Sequence, residues 1–375
     1  MRVAIQVRDL DHNRIDGTRV YVKQLLERFA DLAPEVDFTL YHRDIFNHHL
    51  APKKALNYTE KRLPGRFAWM QTSFALEMFR VKPDRVFLPL QAAPLFFPRK
   101  PEIIATIHDL AFRFYPETFP WLDRLKLKIF LQILLRRASR IICVSHATKR
   151  DLLHFFPHLA PEGIKVIHHG FDGHFFQEKV IAEQAEITLE KYALTSGKYL
   201  LYVGALQPRK NIIRIIEAFE ILKKNETRYS DYKLVLAGEA AWLSAEILKK
   251  AETSVYTEDI ILTGGIDFDT LRIFYQNTAL FVFPSLYEGF GLPILEAFAS
   301  SVPVLVSENS SLREVAGDGA WYCDAFDSED IARQMHSVLE DKNIQEQIIA
   351  NAQEQLKKFS WEKSAQETLD FILSK

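Results

Sequence analysis

The stretch ALFVFPSLYEGFGLPILEAFA, residues 279–299, reads as a buried strand, a glycine-bearing turn and an apolar helix. ALFVF is a short unbroken apolar run, as expected of a strand covered on both faces. LPILEAFA begins near a proline, Pro293, favoured at the first position of a helix. A strand that turns directly into a helix is the repeating unit of doubly wound parallel sheets. In those folds ligands sit in the loops after the carboxyl ends of the strands. The turn SLYEGFG holds two glycines that let the backbone approach a ligand closely. Its N–H groups and the helix N-terminus behind them suit an anion such as phosphate. Glu288 stands before the turn and Glu296 within the first turns of the helix, with seven residues between them. A carboxylate only accepts hydrogen bonds, so this pair suits sugar or ribose hydroxyls. The plainer alternative is one solvated loop acid and one acid complementing the helix dipole.

Outward from that stretch the same alternation fills the chain. Strands are expected at 2–7, 37–41, 85–88, 102–107, 140–144 and 164–168, with helices at about 18–31 and 122–138. A second series of strands runs through 197–205, 232–237, 258–263, 279–283 and 303–306. Its helices are expected near 211–224, 241–252, 269–276, 293–300 and 328–340. The charged segment 177–194 lies between the two series and reads as a linker. Two α/β domains of similar size follow, as 375 residues would require. Ser360 is placed to cap a last helix carrying Trp361, Ala365, Leu369 and Ile372.

Composition narrows the function classes. Lys and Arg number 47 against 49 Asp and Glu, so a global basic field for nucleic acid is missing. Only Cys143 and Cys323 occur, each in an apolar run, which argues against a disulfide framework and fits a reducing cytoplasm. No stretch approaches the length of a membrane span, and MRVAIQVRDL reads as a first strand, not a signal peptide.

Three further loops carry chemistry. In YVGALQPRKN (202–211) a strand ends at Gly204, and Asn211 is placed to cap the next helix. Arg209 and Lys210 then stand at a helix N-terminus, which makes sense if an anion sits beside them; two solvated cations are the alternative. IIATIHDL puts His108 just past a strand, where it contacts either substrate or, as a core histidine, Asp109. The loop after the first strand has one glycine, Gly17, ahead of a helix. The triplets Asp9-Leu10-Asp11 and Asp267-Phe268-Asp269 are weak metal candidates, and Asp269 reads better as a helix cap. Pro157 separates His154 from His158, which argues against zinc.

With these loops assembled, the chain resembles a retaining glycosyltransferase of the GT-B fold, family 4 (glycosyl transferases group 1), mannosyltransferase-like in flavour. The resemblance rests on YVGALQPRKN, LVLAGE, LTGGI, the run from FVFPSLYEGFG to REVAGDGA, and FSWEKSA, with TIHDL and KVIHHGFD earlier in the chain. It implies two Rossmann-like domains facing a central cleft. Residues 1–180 would take the acceptor and 181–358 the nucleotide-sugar donor, with 359–375 crossing back to the first domain. It assigns Glu288 to hydroxyls of the donor sugar and Glu296 to the ribose. Gly204 and the amides of Gly289, Phe290, Gly291 and Leu292 would hold sugar and diphosphate. Lys210 and Arg209 would neutralise the leaving group, His108 would lie near the reacting sugar, and Gly17 with Thr18 would face phosphate or acceptor.

The implied reaction moves a hexose, mannose favoured, from a GDP- or UDP-linked donor to a glycan or polyprenyl-linked hydroxyl. It needs no metal and no other cofactor. A nucleotide-sugar epimerase or hydrolase on the same fold, or a silent sugar-nucleotide binding protein, are the competing readings. Three departures from the family pattern stand out: Ala205 where arginine is usual, Ser301 where glycine is usual, and one glycine, Gly17, in the N-terminal loop where two are often found. Finally, WLDRLKLKIFLQILLRR (121–137) is an apolar helix rich in cations. It either packs on the first sheet or meets the inner face of a membrane as a peripheral contact.

Overall fold

The structure, a computed structural model, describes residues 1–12, 16–65 and 68–374. It divides into two compact units. Unit 1 comprises Met1–Leu110, Trp121–Gly170 and Phe359–Lys375; unit 2 comprises Ala111–Pro120 and Phe171–Lys358.

Unit 1 is built on seven parallel strands: β1 (Arg2–Gln6), β2 (Asp37–His42), β3 (Tyr58–Arg62), β4 (Arg85–Leu88), β5 (Glu102–Ile107), β6 (Arg140–Cys143) and β7 (Ile164–Val166). Their order is β3-β2-β1-β4-β5-β6-β7. Ile5, at the centre, aligns with Leu40 on one side and Phe87 on the other. The inner strands are apolar on both faces because helices cover both, as parallel sheets demand. The edge strand β3, YTEKR, is largely exposed, which is why no apolar pattern announces it. Helix Trp361–Leu373 packs against helix Gly17–Leu32 in the same unit. Ser360 caps it as expected, its Oγ accepting from the amide of Lys363 at 3.2 Å. At its other end Arg140 donates to the carbonyl of Phe371 at 2.8 Å and Arg85 to that of Ile372, so two sheet arginines satisfy the last turn.

Unit 2 carries six parallel strands: β8 (Tyr199–Val203), β9 (Lys233–Ala237), β10 (Ile260–Gly264), β11 (Leu280–Phe283), β12 (Val304–Ser307) and β13 (Trp321–Cys323). They are ordered β10-β9-β8-β11-β12-β13. Tyr202 on β8 stacks on Phe283 of β11 at 6.0 Å, both fully buried. The segment read as a linker folds in its middle into helix Ala182–Lys191, whose Ala185 and Leu189, four residues apart, are buried. Residues Ala111–Pro120 cluster with this unit, which no sequence signal anticipates. Phe114 stacks on Tyr287 at 5.3 Å, and the Trp242 indole donates to the carbonyl of Thr118 at 2.8 Å.

Ser301 follows the helix Leu292–Ala299 with φ +56°, in the left-handed region where a side chain costs about 1 kcal/mol or more. Ser301→Gly is expected to stabilise the fold by about 1 kcal/mol, read as a raised melting midpoint. An unchanged or lowered midpoint would refute this account.

Candidate functional site

The site grows out of the end of β11. Pro284 follows the strand, and the chain turns through 285–291 into the helix Leu292–Ala299. Gly291 is the N-cap with φ +115°, and a Cβ there would lie 3.2 Å from Leu312 and 3.3 Å from Ile294. The backbone therefore calls for glycine, and a side chain there would also press on Leu312 and Ile294. The helix begins at Leu292, so Pro293 occupies its second position, not the first as expected; its missing N–H is equally harmless there.

Two serines fix the turn from the loop after β12. The Ser310 hydroxyl accepts from the amide of Glu288 at 2.7 Å. The Ser311 hydroxyl lies 2.9 Å from the carbonyl of Glu288 and 2.8 Å from that of Phe290, sharing its one proton between them. Neither serine was read as functional from sequence, although both fall inside the run that carried the family resemblance.

Glu288 is buried, and its partners come from the loop after β8. Arg209 Nη1 lies 3.1 Å from Oε2 and Lys210 Nζ forms an ion pair with Oε1. Arg209 also donates to the carbonyl of Tyr287 at 2.8 Å, and its own carbonyl accepts from Leu286 N at 2.9 Å. Burial alone would push the Glu288 carboxyl up, but Lys210 and then Arg209 outweigh it and hold it below the usual range. The carboxylate is thus ionised at neutral pH. Within the trio two positive charges meet one negative charge, a balance that favours an additional anion. Reading Arg209 and Lys210 as cations placed for an anion left out this internal acid, which occupies both of them.

Lys210 ends a 3₁₀ turn, Pro208–Lys210, and Asn211 follows in the left-handed region at φ +65°. The expected cap by the Asn211 side chain does not form. Its amide instead donates to the carbonyls of Pro284 at 3.0 Å and Ala325 at 2.6 Å, tying this loop to β11 and to the segment after β13. Gly204, at the end of β8, donates its amide to Ala237 at 2.9 Å. A Cβ on Gly238 would stand 2.0 Å from the Gly204 carbonyl, so the two strand ends approach closely only because residue 238 is glycine.

Glu296 has a different environment. It is the fifth residue of its helix, part-buried, and Tyr275 Oη donates to its Oε2 at 3.0 Å. Burial raises its carboxyl to about 7, with the Tyr275 hydrogen bond opposing. The two acids of the opening stretch are therefore unlike: one is held ionised by cations, the other is poised between forms.

In unit 1, His108 lies beyond β5 with Nε2 2.7 Å from the carbonyl of Pro89. That contact places the proton on Nε2 and leaves Nδ1 an acceptor. Burial lowers its pKa, so the ring is neutral at pH 7. Tyr21 meets the ring edge-on at 5.2 Å. Gly17 is the first residue of helix Gly17–Leu32 and Thr18 the second; Asp16 caps that helix by accepting from Arg19 N at 3.2 Å. Residues 13–15 of the same loop lie outside the described residues.

The acidic triplets have structural roles. Asp11 Oδ2 accepts from the amides of Arg43 at 2.9 Å and Asp44 at 2.8 Å. Asp267, not Asp269, caps helix Phe268–Asn277, accepting from Thr270 N at 2.7 Å. The helix begins at Phe268, two residues earlier than a cap at Asp269 would place it, which moves Asp269 into the first turn.

Family models match both halves of the chain: "Glycosyltransferase Family 4" over residues 15–174 and "Glycosyl transferases group 1" over residues 184–355. O-antigen chain mannosyltransferase B of Escherichia coli is 32% identical over 268 residues, which is 71% of this chain and 69% of that protein. The serotype-specific mannosyltransferase WbdA of the same species is 32% identical over 61% of this chain, a match spanning 28% of WbdA. Among solved structures, Anabaena HepE in complex with UDP and glucose superposes with a TM-score of 0.75 at 16% identity, over 100% of both chains.

Proposed function

We propose, on the premise that this chain belongs to the glycosyl transferases group 1 family and is a glycosyltransferase, that it transfers a hexose with retention from a nucleoside diphosphate to a glycan hydroxyl. Mannose is the favoured sugar, because the relatives matched at 32% identity are named mannosyltransferases. The donor is a GDP- or UDP-linked sugar, and the acceptor a glycan or a polyprenyl-linked glycan. A lipid-linked acceptor would bring the chain to the inner face of a membrane as a peripheral protein, through helix Trp121–Arg137.

The observation that carries this reading is the trio Arg209–Glu288–Lys210 beside the turn at Gly289–Leu292. Donor binding rearranges it. The diphosphate takes Arg209, Lys210 and the amides of the turn, and Glu288 turns its acceptor oxygens to sugar hydroxyls. As the bond from the anomeric carbon to the phosphate oxygen stretches, negative charge grows on the β-phosphate. Once rearranged, the two cations and the turn amides meet that charge, and in this reading they supply the stabilisation without calling on a divalent ion. Ala205 offers no charge where the family pattern often has arginine, and Arg209 takes that part. The acceptor oxygen attacks on the face the diphosphate leaves, and its proton passes to the departing phosphate oxygen. His108, neutral with Nδ1 an acceptor, takes a sugar hydroxyl, and Glu296 takes the ribose.

A thermal-shift screen over GDP-mannose, UDP-glucose and ADP-glucose tests the reading, because a ligand of the native state raises its melting temperature. GDP-mannose or UDP-glucose should raise it and ADP-glucose should not, and NMR of the product formed with chelator present should show the donor's anomeric configuration. No shift with any donor, an inverted product, or donor converted to epimer or free sugar at the same rate with and without acceptor would each refute it.

A further inference from the structure

Helix Trp121–Arg137 divides along its length. Leu131, Leu134 and Leu135 are buried, whereas Leu122, Leu125 and Ile129 are exposed at the spacing of one helical face, with Trp121 beside them 66% exposed. Five cations on this helix stand against one acid, Asp123.

A second exposed apolar element is pinned next to it. The loop between β4 and β5 presents Leu95 and Phe96, 53% and 78% exposed. Arg137, at the end of the helix, donates to the carbonyls of Phe97 at 3.0 Å and Pro98 at 2.8 Å. From the other side Gln71 accepts from Leu95 N at 2.6 Å and donates to the carbonyl of Ala93 at 3.3 Å. Gln71 lies in the helical run that continues through Ala75–Val81, where Leu76 and Phe79 are exposed three residues apart. The connections β3 to β4, β4 to β5 and β5 to β6 all step across the sheet in one direction. Right-handed crossovers therefore put these three segments on one face, opposite the helix Gly17–Leu32, whose crossover from β1 to β2 steps the other way.

We propose that this face of unit 1 docks on an anionic lipid bilayer, with Leu95 and Phe96 inserted below the headgroups and helix Trp121–Arg137 lying along the surface. Lys126, Lys128 and Arg136 meet lipid phosphates while Leu122, Leu125 and Ile129 enter the interface, the division of labour of a monotopic helix. No helix among the described residues is long and apolar enough to cross the membrane. Charge selects lipid over a second copy of the chain, since self-association would press the same cations together. The proposal deepens the lipid-linked acceptor of the preceding reading and rests on it only for the consequence in activity.

The test is co-sedimentation of the full chain with vesicles of phosphatidylcholine alone or mixed with phosphatidylglycerol, at low and high salt. Wild type should sediment with the anionic vesicles and be released by salt. Leu95→Ser/Phe96→Ser, at exposed positions, should weaken binding about tenfold or more with an unchanged melting temperature. Lys126→Glu/Lys128→Glu should weaken it further at low salt. Equal binding to both vesicle types, no binding to either, or wild-type binding by the Leu95/Phe96 variant would overturn the proposal. All variants should keep the donor-induced thermal shift. A wild-type chain that lacks this shift but still binds vesicles refutes the donor reading and leaves the docking face standing.

Discussion

Glu288→Gln is expected to reduce turnover by about a thousandfold, the scale set by removing one preorganised electrostatic group from a reacting centre. The substitution keeps the size of the side chain and removes its charge. Glu288 is the anion that holds Arg209 and Lys210 in place between the loops after β8 and β11. Without it the two cations lose the carboxylate they share and repel each other at a largely buried site, so the empty protein should lose about 1–3 kcal/mol of stability. A nucleoside diphosphate restores the missing negative charge. The melting temperature of Glu288→Gln should therefore rise more on adding the diphosphate than wild type does, while transfer stays lost. That combination separates a role in the reaction from general damage, since a merely unfolded or loosened variant would bind the diphosphate less. Near-normal turnover would remove Glu288 from the donor site. A smaller diphosphate-induced rise than in wild type would show that the carboxylate does not occupy the phosphate's partners in the empty protein.

How much of this was legible beforehand depends on whether a signal is local. Buried parallel strands write an unbroken apolar run, and β1, β5, β8, β11 and β12 were all readable for that reason. The edge strand β3 exposes most of its length and leaves no such run. Helix Lys342–Leu356 was likewise missed: among its polar residues it buries little more than Ile348, Ala352 and Leu356, too thin a stripe to stand out. The turn at 285–291 was readable because glycine and proline act on their own backbone. Its partners were not. Glu288 and Lys210 are 78 residues apart in sequence, and no local rule says which acid meets which base. The Ser310 and Ser311 contacts come from the neighbouring strand's loop, and Asn211 looked like a cap because its residue type and position fitted one. In the fold its amide is used for long-range ties instead. Local chemistry thus located the loops, while sheet order decided what they share.

Glu296→Gln is expected to stabilise the empty protein above neutrality and to weaken nucleotide binding. Burial raises the Glu296 carboxyl from 4.5 to about 7, so the folded state prefers it protonated. The sign follows from that. Below pH 4.5 the group is protonated folded or unfolded and costs nothing. Between pH 4.5 and 7 the unfolded chain gains by ionising and the folded one does not, so stability falls as pH rises. Above pH 7 the accumulated cost is about 3–4 kcal/mol, since stability falls by roughly 1.4 kcal/mol for each pH unit crossed between the two values. Glutamine has no proton to lose and can still accept from Tyr275, so at pH 8 the variant should melt several degrees above wild type, and at pH 5 within a degree or two. Binding should move oppositely. Ribose hydroxyls need an acceptor-only carboxylate, so wild-type affinity for the nucleoside diphosphate should strengthen as pH rises from 6 to 8. The glutamine variant should bind more weakly and lose that dependence. Calorimetric titrations at pH 6 and 8, paired with melting curves at pH 5 and 8, read both halves. A pH-independent affinity in wild type, or a variant less stable than wild type at pH 8, would mean that Glu296 serves the helix and not the ribose.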